Sequence, residues 1–413
     1  MTDNLLMGIQ SLIIFYSLSS LFRDTSLNNY ILCFSILLLL IKWYKSKLKI
    51  PRYVLLNFYS MLILISLLIL KLEISLIDYK EIILSERFIL NLFYIFLIYC
   101  IFDYKKFYEI MEKVFIMISA LSLISYFLAN IFLSFRNSYL IGPNIYRHIY
   151  IHGYTLGRHN QNASIFWEPS VYGIILSFFL FFRSLKNPTL NPKKDFIKYI
   201  FILSILTTRS TSGLVMLVII IFYTLIKLKY SIKNFVIFLV CLVFFLNTSL
   251  FKKTIYNKLK NISNERSIYQ GEDGTRSSGA RKMHFLIDFE IFKKNLLIGD
   301  KEITNQQSIN SRFKEAKELS KKNKYILYYL ENKTEYHITS NSIVSMLAYF
   351  GIIFFLVYYL IFFKYLYYKI NLDSIIFTLI LVIAFSSQYI FGELYFIYLW
   401  FLPFNFLKKF KGE

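Results

Sequence analysis

Long runs of Ile, Leu, Phe and Tyr alternate along the chain with short polar stretches that carry most of its Lys and Arg. A helix of about 20 apolar residues spans a bilayer, and shorter runs serve where a bundle shields them. By that measure the pattern predicts an all-α, polytopic membrane protein with about twelve spans. They run Leu5–Phe22, Tyr30–Trp43, Tyr53–Leu70, Phe88–Ile101, Val114–Phe132, Pro169–Phe182, Phe196–Thr208, Ser212–Leu228, Phe235–Leu250, Ser340–Phe363, Ile375–Ile390 and Tyr395–Leu407.

Charge sorts the connections between the spans. Lys42–Lys49 with Arg52, Lys105–Lys113, Arg183–Lys194, Lys227–Lys233 and Lys364–Lys369 fall on alternate connections, and Lys408, Lys409 and Lys411 on the tail. Short cytoplasmic loops are enriched in Lys and Arg, so this places both termini inside. The acidic connection from Glu73 to Glu86 suits the outer side. The first run has an almost uncharged flank and no small-residue cleavage pattern after it, and is read as a retained span.

Two connections are too long to be simple turns: Ser134–Glu168 and Phe251–Thr339, both outer by this count. They divide the chain into N-terminal membrane helices (1–133), an outer loop (134–168), central membrane helices (169–250), a large extracytoplasmic loop (251–339) and C-terminal membrane helices (340–413). In the larger loop Phe285, Phe289, Phe292 and Leu296 recur at helical spacing, ending at Gly299 as a C-cap. A second, charged helical stretch covers Ser311–Leu330, and Gln270–Gly279 reads as a flexible hinge.

The pattern organises the chain around Arg158–Gly173, RHNQNASIFWEPSVYG, where a polar run opens directly into an apolar helix. Asn160, Gln161, Asn162 and Ser164 offer hydrogen bonds, Trp167 a flat face and Glu168 a carboxylate. Pro169 suits the first helical position, which puts Glu168 at the N-cap. Spans seven and eight are short. About 14 residues at about 1.5 Å each reach roughly 21 Å against a hydrocarbon core of about 30 Å, so the turn TTRSTSG lies below the outer surface. An Arg there costs about 2.5 to 3.5 kcal/mol on insertion scales, and Arg209 is expected to face a wet cavity or an anion. A surface arginine on a tilted hairpin is the alternative.

Composition agrees with the pattern. The 413 residues are 56% hydrophobic and 19% aromatic, outside the range of ordinary soluble domains. The net charge of +22 lies largely in the loops and reads as a topology signal rather than a nucleic-acid surface. Cys33, Cys100 and Cys241 lie in apolar stretches with no metal or redox spacing. Glu272–Asp273 and Asp300–Glu302 form no octahedral oxygen set and read as solvated charge.

The polar residues of the outer side are the candidates for chemistry. Arg158, Arg209, Arg276 and Arg281 suggest phosphate, because the guanidinium fork stays charged and binds phosphoryl oxygens bidentately. Taken singly, Arg158 and Arg276 read more readily as solvated loop charges than as functional groups. Arg281 begins an amphipathic helix whose apolar face must lie on something. His337, in EYHITSNS, offers a neutral imidazole at the boundary, or is simply interfacial. Asn341 is explained by capping alone. Trp167 either stacks on a sugar ring or belongs to an interfacial belt.

The runs RHNQNASIFWEPSVYG, TTRSTSGLVMLVI, GARKMHFLIDFEIFKKNLLIG and HITSNSIVSMLAYFGIIFF resemble, in order and spacing, the motifs of bacterial O-antigen polymerases and ligases, especially Wzy-type polysaccharide polymerases. The likeness covers about Arg158 to Phe355, and the first five spans match only as generic membrane helices. Phe285 or His284 stands where such proteins often place an aromatic after the loop arginine.

The resemblance implies a glycosyltransferase of the bacterial inner membrane, multi-pass and with its active site facing outward. It would move a growing glycan from polyprenyl diphosphate to a sugar hydroxyl of an incoming lipid-linked repeat unit. Arg209 and Arg281, with Arg158 or Arg276, would engage the diphosphate. Glu168 and His337 would act as general base or hydroxyl positioner, while Trp167, Asn160, Gln161 and Asn341 would contact sugar. In-line displacement inverts the anomeric centre and calls for no metal or cofactor. The partners implied are the lipid-linked donor and acceptor, membrane lipid and a chain-length regulator protein. A ligase of the same family and a lipid-linked oligosaccharide flippase are the competing expectations. A flippase predicts charges deep in several helices and Gly/Pro-broken halves.

Overall fold

The computed structural model describes residues 3–19, 26–46, 50–74, 83–132, 145–148, 152–155, 161–228, 276–300, 314–319, 321, 341–368, 370–388, 390, 392–403 and 406–407. Within them the helices are α1 (Asp3–Tyr16), α2 (Ser26–Ser46), α3 (Arg52–Ile74), α4 (Ile83–Ile101), α5 (Tyr104–Ile131), α6 (Pro169–Lys186), α7 (Phe196–Thr208), α8 (Thr211–Lys227), α9 (Arg276–Lys294), α10 (Ser342–Tyr368), α11 (Leu372–Ser387) and α12 (Leu394–Phe401). The fold is helical, with one antiparallel strand pair among the described residues. β1 (Ile145–His148) and β2 (His152–Thr155) lie in the first long connection and pair Ile145 with Thr155 and His148 with His152.

The centre of the bundle is α6. It is apolar all round, which marks a helix enclosed by protein, and every position from Pro169 to Phe182 is buried. Its phenylalanines reach a neighbour in each direction. Phe179 stacks on Phe115 of α5 at 4.4 Å, Phe181 lies 5.3 Å from Tyr223 of α8, and Phe178 lies 6.0 Å from Phe377 of α11. Each such pair contributes about 0.5 to 1.5 kcal/mol beyond area burial.

Contacts along the helices sort their ends. Gly173 meets Gly213 near the starts of α6 and α8, and Phe181 meets Tyr223 further along, so the two run parallel with α7 returning between them. One end of the bundle, the Arg183 end, is held by ion pairs. Lys42 pairs with Asp3 at 2.5 Å, Arg183 with Asp195 at 2.7 Å and Glu112 at 2.9 Å, and Lys227 with Asp373 at 2.7 Å. The other, the Glu168 end, holds the starts of α6, α8, α10 and α12.

Among the described residues, four helices are long and apolar enough to cross a membrane: Arg52–Leu70, Tyr104–Ile131, Pro169–Lys186 and Ser342–Lys364. Exposed apolar residues on α2 and α3, among them Tyr30, Phe34, Leu56 and Tyr59, form the kind of outer surface that lipid covers. This is a membrane-embedded helical protein.

Several expected boundaries are corrected. The basic stretch Lys105–Lys113 is the start of α5 rather than a loop, because the Asp103 carboxylate accepts from the Lys105 and Lys106 amides, both at 3.0 Å. The last apolar run is broken after Phe401: Leu394–Phe401 is one helix, Leu402 and Pro403 leave it, and residues 406–407 are helical again. Lys364 and the Asn57 side-chain amide donate to the carbonyls of Trp400 and Phe401, both at 2.9 Å, which satisfies carbonyls that a helix end leaves open. Residues 276–279 of the expected hinge form the first turn of α9, and residues 270–275 lie outside the described residues, as do the ninth run and Cys241. Of the charged stretch Ser311–Leu330, residues 314–319 are helical and only residue 321 is described besides them.

α9 also buries a different face from the one its phenylalanines mark. His284, Ile287, Asp288 and Ile291 are buried, while Phe285 and Phe289 are exposed. The Ser345 hydroxyl donates to the Asp288 carboxylate at 2.8 Å, which sets this rotation.

Candidate functional site

Asn162 builds the site's first join. Its backbone amide donates to the Thr207 carbonyl at 3.0 Å, and its side-chain amide donates to the Thr207 hydroxyl at 3.2 Å. Its side-chain carbonyl accepts from the Ser122 hydroxyl at 2.9 Å and from the Ser164 amide at 3.0 Å. All four bonds are buried, where an unmade bond costs about 1 to 3 kcal/mol. They tie the run before Trp167 to the end of α7, two residues before Arg209.

Glu168 is the N-cap of α6 with extended backbone (φ −145°), Pro169 follows it, and its carboxylate makes no capping hydrogen bond. It is partly exposed. Glu is a poor N-cap next to Ser, Thr, Asp or Asn, so the local helix does not account for this carboxylate. Trp167 packs on the bundle core, and its amide donates to the Leu18 carbonyl at 3.2 Å. Phe166 pairs with Ser19 in an isolated antiparallel bridge, so the end of α1 holds the corner from the side.

Arg209 closes α7 in the left-handed region (φ 50°, ψ 27°), and its amide donates to the Leu206 carbonyl. This conformation costs a residue with a Cβ about 1 to 2 kcal/mol. It reverses the chain so that Ser210 caps α8, its hydroxyl accepting from the Gly213 amide at 3.0 Å. Gly213 packs on Gly173, where a Cβ on either would come within 2.7 Å of the Ser210 hydroxyl or closer. Glu168 and Arg209 therefore stand just before two parallel helices that touch near their N-termini.

Asn341 caps α10, its side-chain oxygen accepting from Ile343 and Val344 amides at 2.9 and 3.2 Å. Gln388, at the end of α11, donates to the Ser170 hydroxyl at 2.5 Å, while its carbonyl accepts from the Ser342 hydroxyl at 2.5 Å. The starts of α6 and α10 thus share one residue. The second long loop returns to this end through α9. Asp288 faces Ser345, and beyond the helix Gly299 lies against Gly351, both at φ 75°, where α10 is kinked. Position 281 lies two helical turns before Asp288 on the same strip of α9, toward the Glu168 end. Lys294 holds the helix to its neighbour through Glu315 at 2.5 Å and Glu318 at 3.0 Å. These bonds raise the ammonium above its ordinary value and lower the Glu318 carboxyl.

No protein-family model matches this chain, and no curated protein sequence matches it significantly. The site is therefore read from its own residues.

Of the sequence candidates, Trp167, Glu168, Arg209 and Asn341 stand at one end of the bundle, with Gln161 beside Asn162. Arg276 and Arg281 belong to the backbone of α9, and their side chains lie outside the described residues, as do Arg158, Asn160 and His337. No cluster of metal-ligating side chains occurs among the described residues. Sequence reasoning passed over Arg87, Gln388 and Glu393. Arg87 donates to the Ser17 carbonyl at 3.4 Å and lies 3.8 Å from the Glu393 carboxylate. The available signal was the pair of polar positions, 388 and 393, in an otherwise apolar connection.

Proposed function

We propose that this protein is a membrane polysaccharide polymerase. It transfers a growing glycan from polyprenyl diphosphate to a sugar hydroxyl of an incoming lipid-linked repeat unit on the outer face of the bacterial inner membrane. The observation that carries the reading is the join made by Asn162, which holds a carboxylate corner and an arginine turn at one end of an otherwise apolar bundle. Further support comes from the second long loop, whose α9 leads back to the same end.

In this reading the bundle crosses the membrane twelve times with both termini inside. The alternation of helix ends and the basic Arg183 end support that count. Arg209, with Arg281 and with Arg158 or Arg276 from the loops, neutralises the diphosphate as the anomeric bond breaks. Fixed cations act strongly where water is excluded. Glu168, or His337, accepts the proton of the attacking hydroxyl, while Trp167, Asn160, Gln161 and Asn341 line the sugar path. The hydroxyl oxygen bonds to the anomeric carbon, the glycosidic oxygen leaves with the diphosphate, and the configuration inverts. Membrane lipid and a chain-length regulator protein are its proposed partners.

The test is the glycan chain-length profile of a deletion strain complemented with wild type, Arg209→Ala or Glu168→Gln. Loss of long chains with single repeats retained is the result expected for the deletion and both variants. Normal chain lengths from Arg209→Ala would sink the assignment. Loss of single repeats as well would favour a ligase or a flippase.

A further inference from the structure

α11 ends at Gln388, which caps it with extended backbone (φ −147°, ψ 154°). Ser386 and Ser387, just before it, donate back to carbonyls of their own helix at 3.1 Å each. Gln388 instead reaches two other helices. Its side-chain amide donates to the Ser170 hydroxyl of α6 at 2.5 Å, and its carbonyl accepts from both the amide and the hydroxyl of Ser342 on α10, at 3.2 and 2.5 Å. The Ser342 hydroxyl also accepts from the Ile390 amide at 2.7 Å. Ser342 thus grips the chain at residues 388 and 390, which sets the backbone from which the Gln388 side chain extends. Gln388, Ser170 and Ser342 are all buried.

The three helices do not need this junction to adhere. Phe178 and Phe181 of α6 lie 6.0 and 5.9 Å from Phe377 of α11, and Phe385 of α11 lies 5.3 Å from Phe362 of α10. Ring packing of this kind supplies cohesion through many weak contacts. Hydrogen bonds between membrane helices add only modestly to stability, but each holds its donor and acceptor to a narrow range of distance and angle. What the junction contributes is therefore position. Ser170 is two residues from Glu168, and Ser342 directly follows Asn341, so the two ends of the junction lie beside a proposed base and a proposed sugar contact.

We infer that Gln388 is a positioning residue for the proposed reaction: through Ser170 and Ser342 it fixes the start of α6, with Glu168, against the start of α10, with Asn341. This rests on the proposed function and adds to it a residue of α11 that touches neither sugar nor diphosphate. Its role is to keep the carboxylate aligned with the acceptor hydroxyl.

The test is steady-state polymerisation of lipid-linked repeat units by the purified protein in nanodiscs, with unfolding midpoints measured on the same samples. Gln388→Met keeps the side-chain length and volume without the hydrogen bond, and Ser170→Ala removes the same bond from the α6 side. Each is expected to lower kcat about tenfold or more while KM stays within about threefold of wild type, since a misplacement of about 1 Å can cost about 10²-fold in rate. The double variant is expected to lose no more than the worse single one, because both break one bond. A kcat close to wild type in either folded variant, a rise in KM in place of the fall in kcat, or losses that multiply in the double variant overturns the inference. Should Gln388→Met not fold, Ser170→Ala decides, since it leaves the bonds between Gln388 and Ser342 in place. No polymer from the wild type would count against the proposed function instead.

Discussion

Asn162 and Thr207 are joined twice, by backbone amide to carbonyl at 3.0 Å and by side-chain amide to hydroxyl at 3.2 Å. The same side chain serves Ser122 and Ser164, so Asn162→Ala leaves several buried groups without partners. About 1 to 3 kcal/mol is the expected loss for such a site. Thermal unfolding in detergent would register it as a lower midpoint, accompanied by loss of long glycan chains. An unchanged midpoint would show that the corner is held by its other contacts.

Arg209 separates charge from backbone. Its left-handed conformation suits glycine, so Arg209→Gly relieves about 1 to 2 kcal/mol of backbone strain. The expected outcome is an unchanged or higher unfolding midpoint together with lost polymer. Arg209→Lys keeps the charge without the fork and is expected to retain part of the activity. Full activity in Arg209→Gly would remove this residue from the diphosphate site.

Gly173 and Gly213 form the contact that brings Glu168 and Arg209 to one level. A Cβ on Gly213 would lie 2.6 Å from the Ser210 hydroxyl and 3.3 Å from the Gly173 Cα. Gly213→Ala must therefore push out the cap of α8 or part the helices, at about 1 to 3 kcal/mol. Melting curves of Gly213→Ala and Gly173→Ala are expected to show this, with Ser210→Ala costing about 1 kcal/mol as a lost cap.

Gly299 and Gly351 couple α9 to the kink in α10. A Cβ on Gly299 would lie 2.5 Å from the Tyr349 carbonyl carbon, and both glycines are at φ 75°. Gly351→Ala is expected to detach α9. Limited proteolysis would then cut near α9 faster than in the wild type, and polymer would be lost while the bundle still folds. Proteolysis at the wild-type rate would refute the coupling.

The two ends of the bundle are expected on opposite membrane faces. With the native cysteines replaced, Gln161→Cys should react with an impermeant maleimide in intact cells, and Lys193→Cys only after permeabilisation. Labelling of both from outside would refute the twelve-span reading.

The apolar runs and their flanking charge determined by themselves that this is a helical membrane protein. Pro169 marked the start of its central helix, because hydropathy and proline geometry act over a few residues. Asn341 as a cap was legible for the same reason. Helix ends were only partly legible: charged residues at Lys105–Lys113 extend a helix when Asp103 caps it, whereas Pro403 stops α12 after Phe401 by a local rule, and Lys364 and Asn57, from distant helices, satisfy the carbonyls it leaves open. The rotation of α9 escaped the pattern too, since it is set by the hydrogen bond from Ser345 of α10 to Asp288, a partner distant in the chain. Only the tertiary structure decided that Asn162 joins Thr207, that Gly173 meets Gly213, and that Arg87 faces Glu393. Those pairings depend on which helices become neighbours, and the order of residues along any one helix carries no record of that choice.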